Sequence, residues 1–161
     1  MAVDSFLKID GIKGESTDDK HKNWIEISSF SSGISQPTSA TASSAGGGTT
    51  ERCYHQDFSI TKEMDIASPD IALFCCNGKH VKEVIVELCR AGEKKLPYMK
   101  YTMNNVVISS YSPAGGGGLP NESVTFNYGK IKWEYTQQKR AGGGGGGKAT
   151  GGWDLEKNKK L

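Results

Sequence analysis

Apolar and polar residues alternate along most of this 161-residue chain, and the alternation fails once in a compact block. Ile71, Ala72, Leu73, Phe74, Cys75 and Cys76 follow one another without a polar break. Ser68 ahead of them suits a helix N-cap and Pro69 the first helical position. Asp70 stands where the helix dipole favours a carboxylate, and Asn77-Gly78 supplies a left-handed exit. The block therefore predicts one helix of about two turns, roughly 12 Å long at 1.5 Å per residue. Ile71, Phe74 and Cys75 form the side that rests on a sheet.

The rest of the pattern has a period of two, the mark of half-buried strands. A short strand is expected at 6–9 and another at 23–30, where Trp24, Glu26, Ser28 and Phe30 oppose Ile25, Ile27 and Ser29. Residues 52–60 place Tyr54, Phe58 and Ile60 on one face, with Cys53, His55, Asp57 and Ser59 on the other. Val84, Val86 and Leu88 give 81–90 a core face, with Glu83 and Glu87 opposite. Strands at 96–103 and 105–111 are separated by a polar step, and strands at 124–128 and 131–135 by a Tyr128-Gly129-Lys130 hairpin turn. A terminal strand at 153–155 precedes a basic tail. Eight or so short strands with regular punctuation describe a sandwich or small barrel with one helix on its outside.

Composition changes this picture in one respect. Of 21 glycines, most lie in runs at 46–48, 115–118 and 142–147, and the segment 37–50 is small, polar and glycine-rich, an extended loop. The formal net charge of +2 arises from 20 basic and 18 acidic residues interleaved throughout. That excludes the concentrated basic face of a nucleic-acid binder and a polybasic membrane patch. No stretch reaches the about 18 apolar residues of a membrane span. Residues 1–8 lack the basic start and apolar core of a signal peptide, so the chain is expected to fold in the cytoplasm. Four cysteines in that compartment read as free thiols, with Cys75 and Cys76 buried in the helix block.

No catalytic, cofactor or metal site is expected. Cys53, His55 and Asp57 stand two apart on one strand face, nearly 7 Å between successive Cα atoms, too far for a working nucleophile and base. His21, His55, His80 and the cysteines show none of the local ligand pairs of a structural zinc site. The acidic turn with Glu15, Asp18 and Asp19 lacks the order of a calcium loop. The glycine runs are not followed by Gly-Lys-Ser/Thr; Gly147-Lys148-Ala149 has an alanine where a phosphate loop needs a hydroxyl.

Taken in order, several segments resemble the Hcp (haemolysin-coregulated protein) family of bacterial type VI secretion systems. They are Phe6-Leu-Lys-Ile-Asp-Gly-Ile-Lys-Gly-Glu-Ser16, Asp19-Lys-His-Lys22, Thr61-Lys-Glu-Met-Asp65, Ser68-Pro-Asp70 and Gly78-Lys-His80. Val107-Ile-Ser-Ser110, Glu122-Ser-Val-Thr-Phe126, Lys132-Trp-Glu-Tyr135 and Gly152-Trp-Asp154 continue the series across essentially the whole chain. The resemblance implies a mainly β fold: a small β-barrel of two packed antiparallel sheets with one short flanking α-helix, one domain over 1–161 with an extended loop at 37–51. It implies hexameric rings that stack into the inner tube of the secretion machine. Spike protein, sheath and baseplate would be partners, and secreted effectors would be carried in the ring lumen. Export would follow a cytoplasmic stage without a cleaved signal, and with the chain ending at Leu161 no effector domain is expected to be fused.

By that analogy and by composition, Ser29 and Ser31 are expected to face the lumen, and Ser39, Thr41, Ser43, Gly46 and Gly47 to form a ring-stacking loop, with 112–121 a weaker second arm. Lateral contacts are expected to involve charged strand faces such as Glu83, Glu87, Lys130 and Lys132. The alternatives are a monomeric β-barrel that binds a small ligand, and a hydrolase using His55 or His21.

Overall fold

The computed structural model describes residues 3–38, 52–92, 95–138 and 145–161. Eleven strands and one helix follow in the order β1 (Val3–Ile9), β2 (Ile25–Ile27), β3 (Ser29–Ser31), β4 (Ile34–Ser35), β5 (Tyr54–His55), β6 (Phe58–Glu63), α1 (Ser68–Asn77), β7 (Val81–Arg90), β8 (Pro97–Ala114), β9 (Asn121–Gln138), β10 (Gly145–Asp154) and β11 (Lys159–Lys160). Antiparallel ladders run from β1 through β7, β8 and β9 to β6, and from β6 to β3. β3 continues directly from β2, which pairs back onto β1. The sheet thus comes round on itself through one stretch, residues 25–31, that changes partner midway; Ser28 N–H donates to Thr61 O at 2.8 Å where it does so. The two packed sheets expected from sequence are two halves of one nine-stranded sheet. The separate second sheet is the small β4–β5 pair.

The change of partner explains where the alternation of 23–30 breaks. Ile25 and Ile27 are buried beside β1, Ser28 and Ser29 are both exposed, and Phe30 turns back to pack on Phe58 and Tyr101 beside β6. A second departure concerns the long strands. The expected pairs 96–103/105–111 and 124–128/131–135 are single strands of 18 residues each, with no reversal at Gly129. Buried positions change parity at one level in three neighbours: from Val81 to Val84 in β7, from Val106 to Met103 in β8, and from Tyr128 to Ile131 in β9. Asn105, at φ 52°, marks this fold line. Gly129 makes room beside it, since a Cβ there would stand 2.6 Å from Glu156 Oε1 and 3.3 Å from Asn105 Cβ.

β9 is the hub of the molecule. β8 follows its whole length, its first part carries β6 on the other edge, and its second part carries β10. The terminal strand expected at 153–155 is the end of the longer β10, and Lys159 and Lys160 of the basic tail pair back onto it. The strand expected over 52–60 is broken at Gln56 and Asp57. Phe58 and Ile60 are buried, but Tyr54 is 60% exposed, because β5 leaves the core to pair with β4.

The helix covers Ser68–Asn77, with Ile71 and Phe74 buried and Cys75 packed partly against the core. Ala67, not Ser68, is the N-cap, and Gly78 at φ 62° ends the helix by donating to Phe74 O. Ser68 is drawn elsewhere: its Oγ accepts from Asp65 N–H at 3.0 Å and from Lys62 Nζ at 3.3 Å. Lys62 is fully buried and also donates to Glu122 Oε2 at 2.7 Å, Asp65 Oδ1 at 2.8 Å and Glu63 O at 2.9 Å. An ammonium taken out of water costs several kcal/mol unless its donors are satisfied, and this knot satisfies them while tying the helix start to β6 and β9. Of the two helix thiols expected to be buried, Cys76 is exposed and Cys75 intermediate. The fully buried cysteine is Cys89, from the outer side of β7.

Candidate functional site

The side of β6 and β9 that faces away from the core carries hydroxyls at alternate positions, and the register of four strands sets them side by side. One row reads Ser29, Thr61, Ser123, Ser112 across β3, β6, β9 and β8. The next reads Ser31, Ser59, Thr125, Ser110. A register shift between Ile108 and Ser110 brings Ser109 into the same row, so both serines reach Thr125 Oγ1 at 2.6 Å. Ser29 Oγ meets Thr61 Oγ1 at 2.5 Å. At the margin, Asp57 accepts from Ser109 Oγ at 2.7 Å and from Asn127 Nδ2 at 3.0 Å. Apolar side chains of the same strands, Phe58, Ile60, Val124, Phe126 and Ile108, fill the core behind.

This face carries nine neutral hydroxyls in two rows and no charge within them. Such a surface holds a hydration layer and offers many weak donors and acceptors, with neither a strong ion-pair anchor nor an apolar one. Ser29 and Ser31 stand at its β3 border, as exposed strand residues. Their seven row partners were not assigned to the lumen from sequence. Ser59/Thr61, Ser110/Ser112 and Ser123/Thr125 show the same i, i+2 spacing, but only the register shows that they adjoin. The stacking residues Ser39, Thr41, Ser43, Gly46 and Gly47 lie outside the described residues.

The residues considered for catalysis do not converge. His55 Nδ1 lies 3.1 Å from the Tyr128 hydroxyl, Cys53 Sγ donates to Ser35 O at 3.4 Å, and Asp57 belongs to the hydroxyl face. Burial lowers the His55 pKa and pushes the Tyr128 hydroxyl up to about 12. His55 lines a cleft of about 360 Å³ with Ile34, Cys53, Trp133 and Trp153, at the base of the β4–β5 pair. A polar cleft of about 490 Å³ between Glu15, Glu26, Glu63 and Asp65 adjoins Ser28.

His21 is 2% exposed and held on the outside of β1 and β7. Phe6 stacks on its ring at 4.1 Å and Trp24 meets it edge-on at 4.8 Å. Nδ1 is 2.6 Å from Asp18 Oδ2, and Nε2 is 2.6 Å from Glu87 Oε2. Its hydrogen bond from His21 is the main reason the Asp18 carboxyl sits below its ordinary value; Lys95, 3.0 Å away and also bonded to Asp4, adds to it. Glu87, expected at a lateral interface, is therefore committed inside its own chain. Lys130 stands 4.0 Å from Asp154 of β10.

A curved antiparallel sheet with one helix packed on it and a hydroxyl-faced wall defines a mainly β protein. The family model described as "Type VI secretion system effector, Hcp" matches residues 6–135. Protein hcp1 of Pseudomonas aeruginosa is 36% identical over 161 residues, covering 98% of each chain. A solved "type six secretion system protein" superposes with a TM-score of 0.91 at 34% identity, covering 99% of this chain and 100% of the other. Hcp1 of Salmonella typhimurium does so at 0.83 and 35%, covering 100% of both. The chain belongs to the Hcp family of type VI secretion proteins, structural secreted tube proteins and not enzymes. No described helix is long and apolar enough to cross a membrane.

Proposed function

We propose that six copies of this single-domain chain close into a ring whose lumen is lined by the hydroxyl rows, Ser29 and Ser31 included. Rings stack through the 37–51 loop, with Ser39, Thr41, Ser43, Gly46 and Gly47 at the contact, into a tube that the sheath drives outward. Baseplate and spike protein are the other partners, and effectors travel in the lumen from the cytoplasm to the outside or into a target cell. The observation that carries this reading is the four-strand hydroxyl face on a chain of this family. A tube wall must stay wet and release what it carries, and neutral hydroxyls do both. The lateral joint is a head-to-tail contact that closes. Among the described residues, β10 is paired on its outer side by β11 only at Trp153 and Asp154, leaving the first half of β10 open for backbone pairing with a neighbour. Glu83, Lys130 and Lys132 add charge to that joint.

Native mass spectrometry tests the ring: a species near six times 17.3 kDa is expected, and a monomer at every micromolar concentration tried overturns the reading. The alternative of a monomeric ligand-binding barrel gains nothing from the interior, which large apolar side chains occupy.

A further inference from the structure

We propose that His21, Glu87 and Cys89 together form a site for one zinc-class divalent cation, with Asp18 orienting the imidazole. The three donor atoms, one nitrogen, one oxygen and one sulfur, all lie within 4.8 Å of one another. They come from two separate elements. Residues 13–24 wrap the outside of β1, and Glu87 and Cys89 alternate along the outer face of β7, opposite Phe6 and Asp4 of β1. No local ligand spacing could reveal the set, because His21 and Glu87 are 66 positions apart.

The imidazole is built in rather than loosely placed. Phe6 and Trp24 fix its plane, and Asp18 Oδ2 holds Nδ1 at 2.6 Å, which leaves Nε2 facing Glu87 Oε2, 2.6 Å away, and Cys89 Sγ, 4.0 Å away. A carboxylate on the far nitrogen is the usual device that sets the tautomer of a metal-binding histidine. Tetrahedral zinc with ordinary bond lengths separates N from O by about 3.3 Å and N from S by about 3.6 Å. The first distance opens by about 0.7 Å, the second closes by about 0.4 Å, and the Glu87-oxygen-to-Cys89-sulfur distance, at most 4.8 Å, closes to about 3.6 Å on binding.

The charges balance as well. Cys89 is fully buried, so its sulfur is shielded from solvent beside Nε2 and Glu87. Metal ligation requires an unprotonated Nε2 and a thiolate, so an entering dication releases the protons these donors hold. What remains is M²⁺ with a neutral imidazole, one carboxylate and one thiolate, a set of zero net charge, while Asp18 keeps Lys95 as its own counter-ion. The ion then staples the 13–24 wrap to β7.

Cobalt(II) is the probe. The full-length chain, stripped with a chelator and carrying Cys53→Ser, Cys75→Ser and Cys76→Ser, is titrated with Co²⁺ at pH 7.5. One equivalent per chain is expected, with a thiolate-to-cobalt charge-transfer band in the near ultraviolet that zinc abolishes by displacement. Cys89→Ser, with folding checked by far-ultraviolet circular dichroism, is expected to lose the band. Asp18→Asn is expected to keep it and weaken affinity by about 10- to 100-fold. Absence of the band in the parent, or its survival in Cys89→Ser, overturns the assignment.

Discussion

Two buried side chains show how single residues set the stability of this protein. Lys62 is satisfied by two carboxylates, a hydroxyl and a carbonyl, so its removal leaves Glu122 uncompensated in a site with no exposure to water. Lys62→Met is expected to destabilise by about 3–5 kcal/mol in urea unfolding, and the double variant Lys62→Met/Glu122→Leu by much less, because it deletes the stranded charge too. Asp18 makes a prediction in pH. Its carboxyl is held below the ordinary aspartate value, so near that value the unfolded chain holds more protons at this position than the folded one. Stability from Asp18 is complete above the unfolded value and is lost as pH falls through the folded value. Glu122 has the same sign: burial raises its pKa, but the bonds from Lys62, Ser68 and Tyr111 outweigh burial and leave it lowered from 4.5. Thermal melts from pH 5 to pH 2 are expected to show a steep acid limb that Asp18→Asn makes shallower.

Among the elements, β8 and β9 decide the shape, and their fold line is the place to test it. Asn105 holds φ 52° where all three neighbouring strands change the parity of their buried positions. Its side chain also bonds His80 Nδ1 at 3.0 Å, through Oδ1, and Glu156. Asn105→Val should cost about 1–3 kcal/mol, since a β-branched residue is strained in the left-handed region. Asn105→Gly keeps the conformation and forfeits only exposed hydrogen bonds, so it should cost clearly less. Equal losses in denaturant titration would mean that the bonds, not the backbone angle, hold the line.

For the whole molecule, the hydroxyl face makes a prediction that separates assembly from carriage. Ser59 and Thr125 lie in the second row, on β6 and β9. Replacing both with Tyr fills the face with bulk while leaving the open half of β10 untouched. The expected outcome is an unchanged ring mass by native mass spectrometry and a several-fold drop in co-purified effector. A loss of the ring itself would place these residues in the lateral joint instead of the lumen.

Element type and family were legible in the residues because both rest on local chemistry. Period-two alternation gave the strands, the apolar block with Pro69 and Gly78 gave the helix, and the ordered segments from Phe6 to Asp154 gave the family. The breaks in alternation were legible too, but not their meaning. At 103–106 and 128–131 a parity change reads as a chain reversal when each strand is taken alone. Only in the folded sheet do the breaks of β7, β8 and β9 line up as one bend. Ser68 had the chemistry of a helix cap, but Ala67 holds the cap position, and the Ser68 hydroxyl instead accepts from Asp65 N–H and from Lys62, a buried ammonium 6 positions back. The hydroxyl wall and the His21 cluster likewise needed the fold. Sequence spacing fixes which face of its own strand a side chain occupies, whereas its neighbours come from inter-strand register, set by the packing of the entire core.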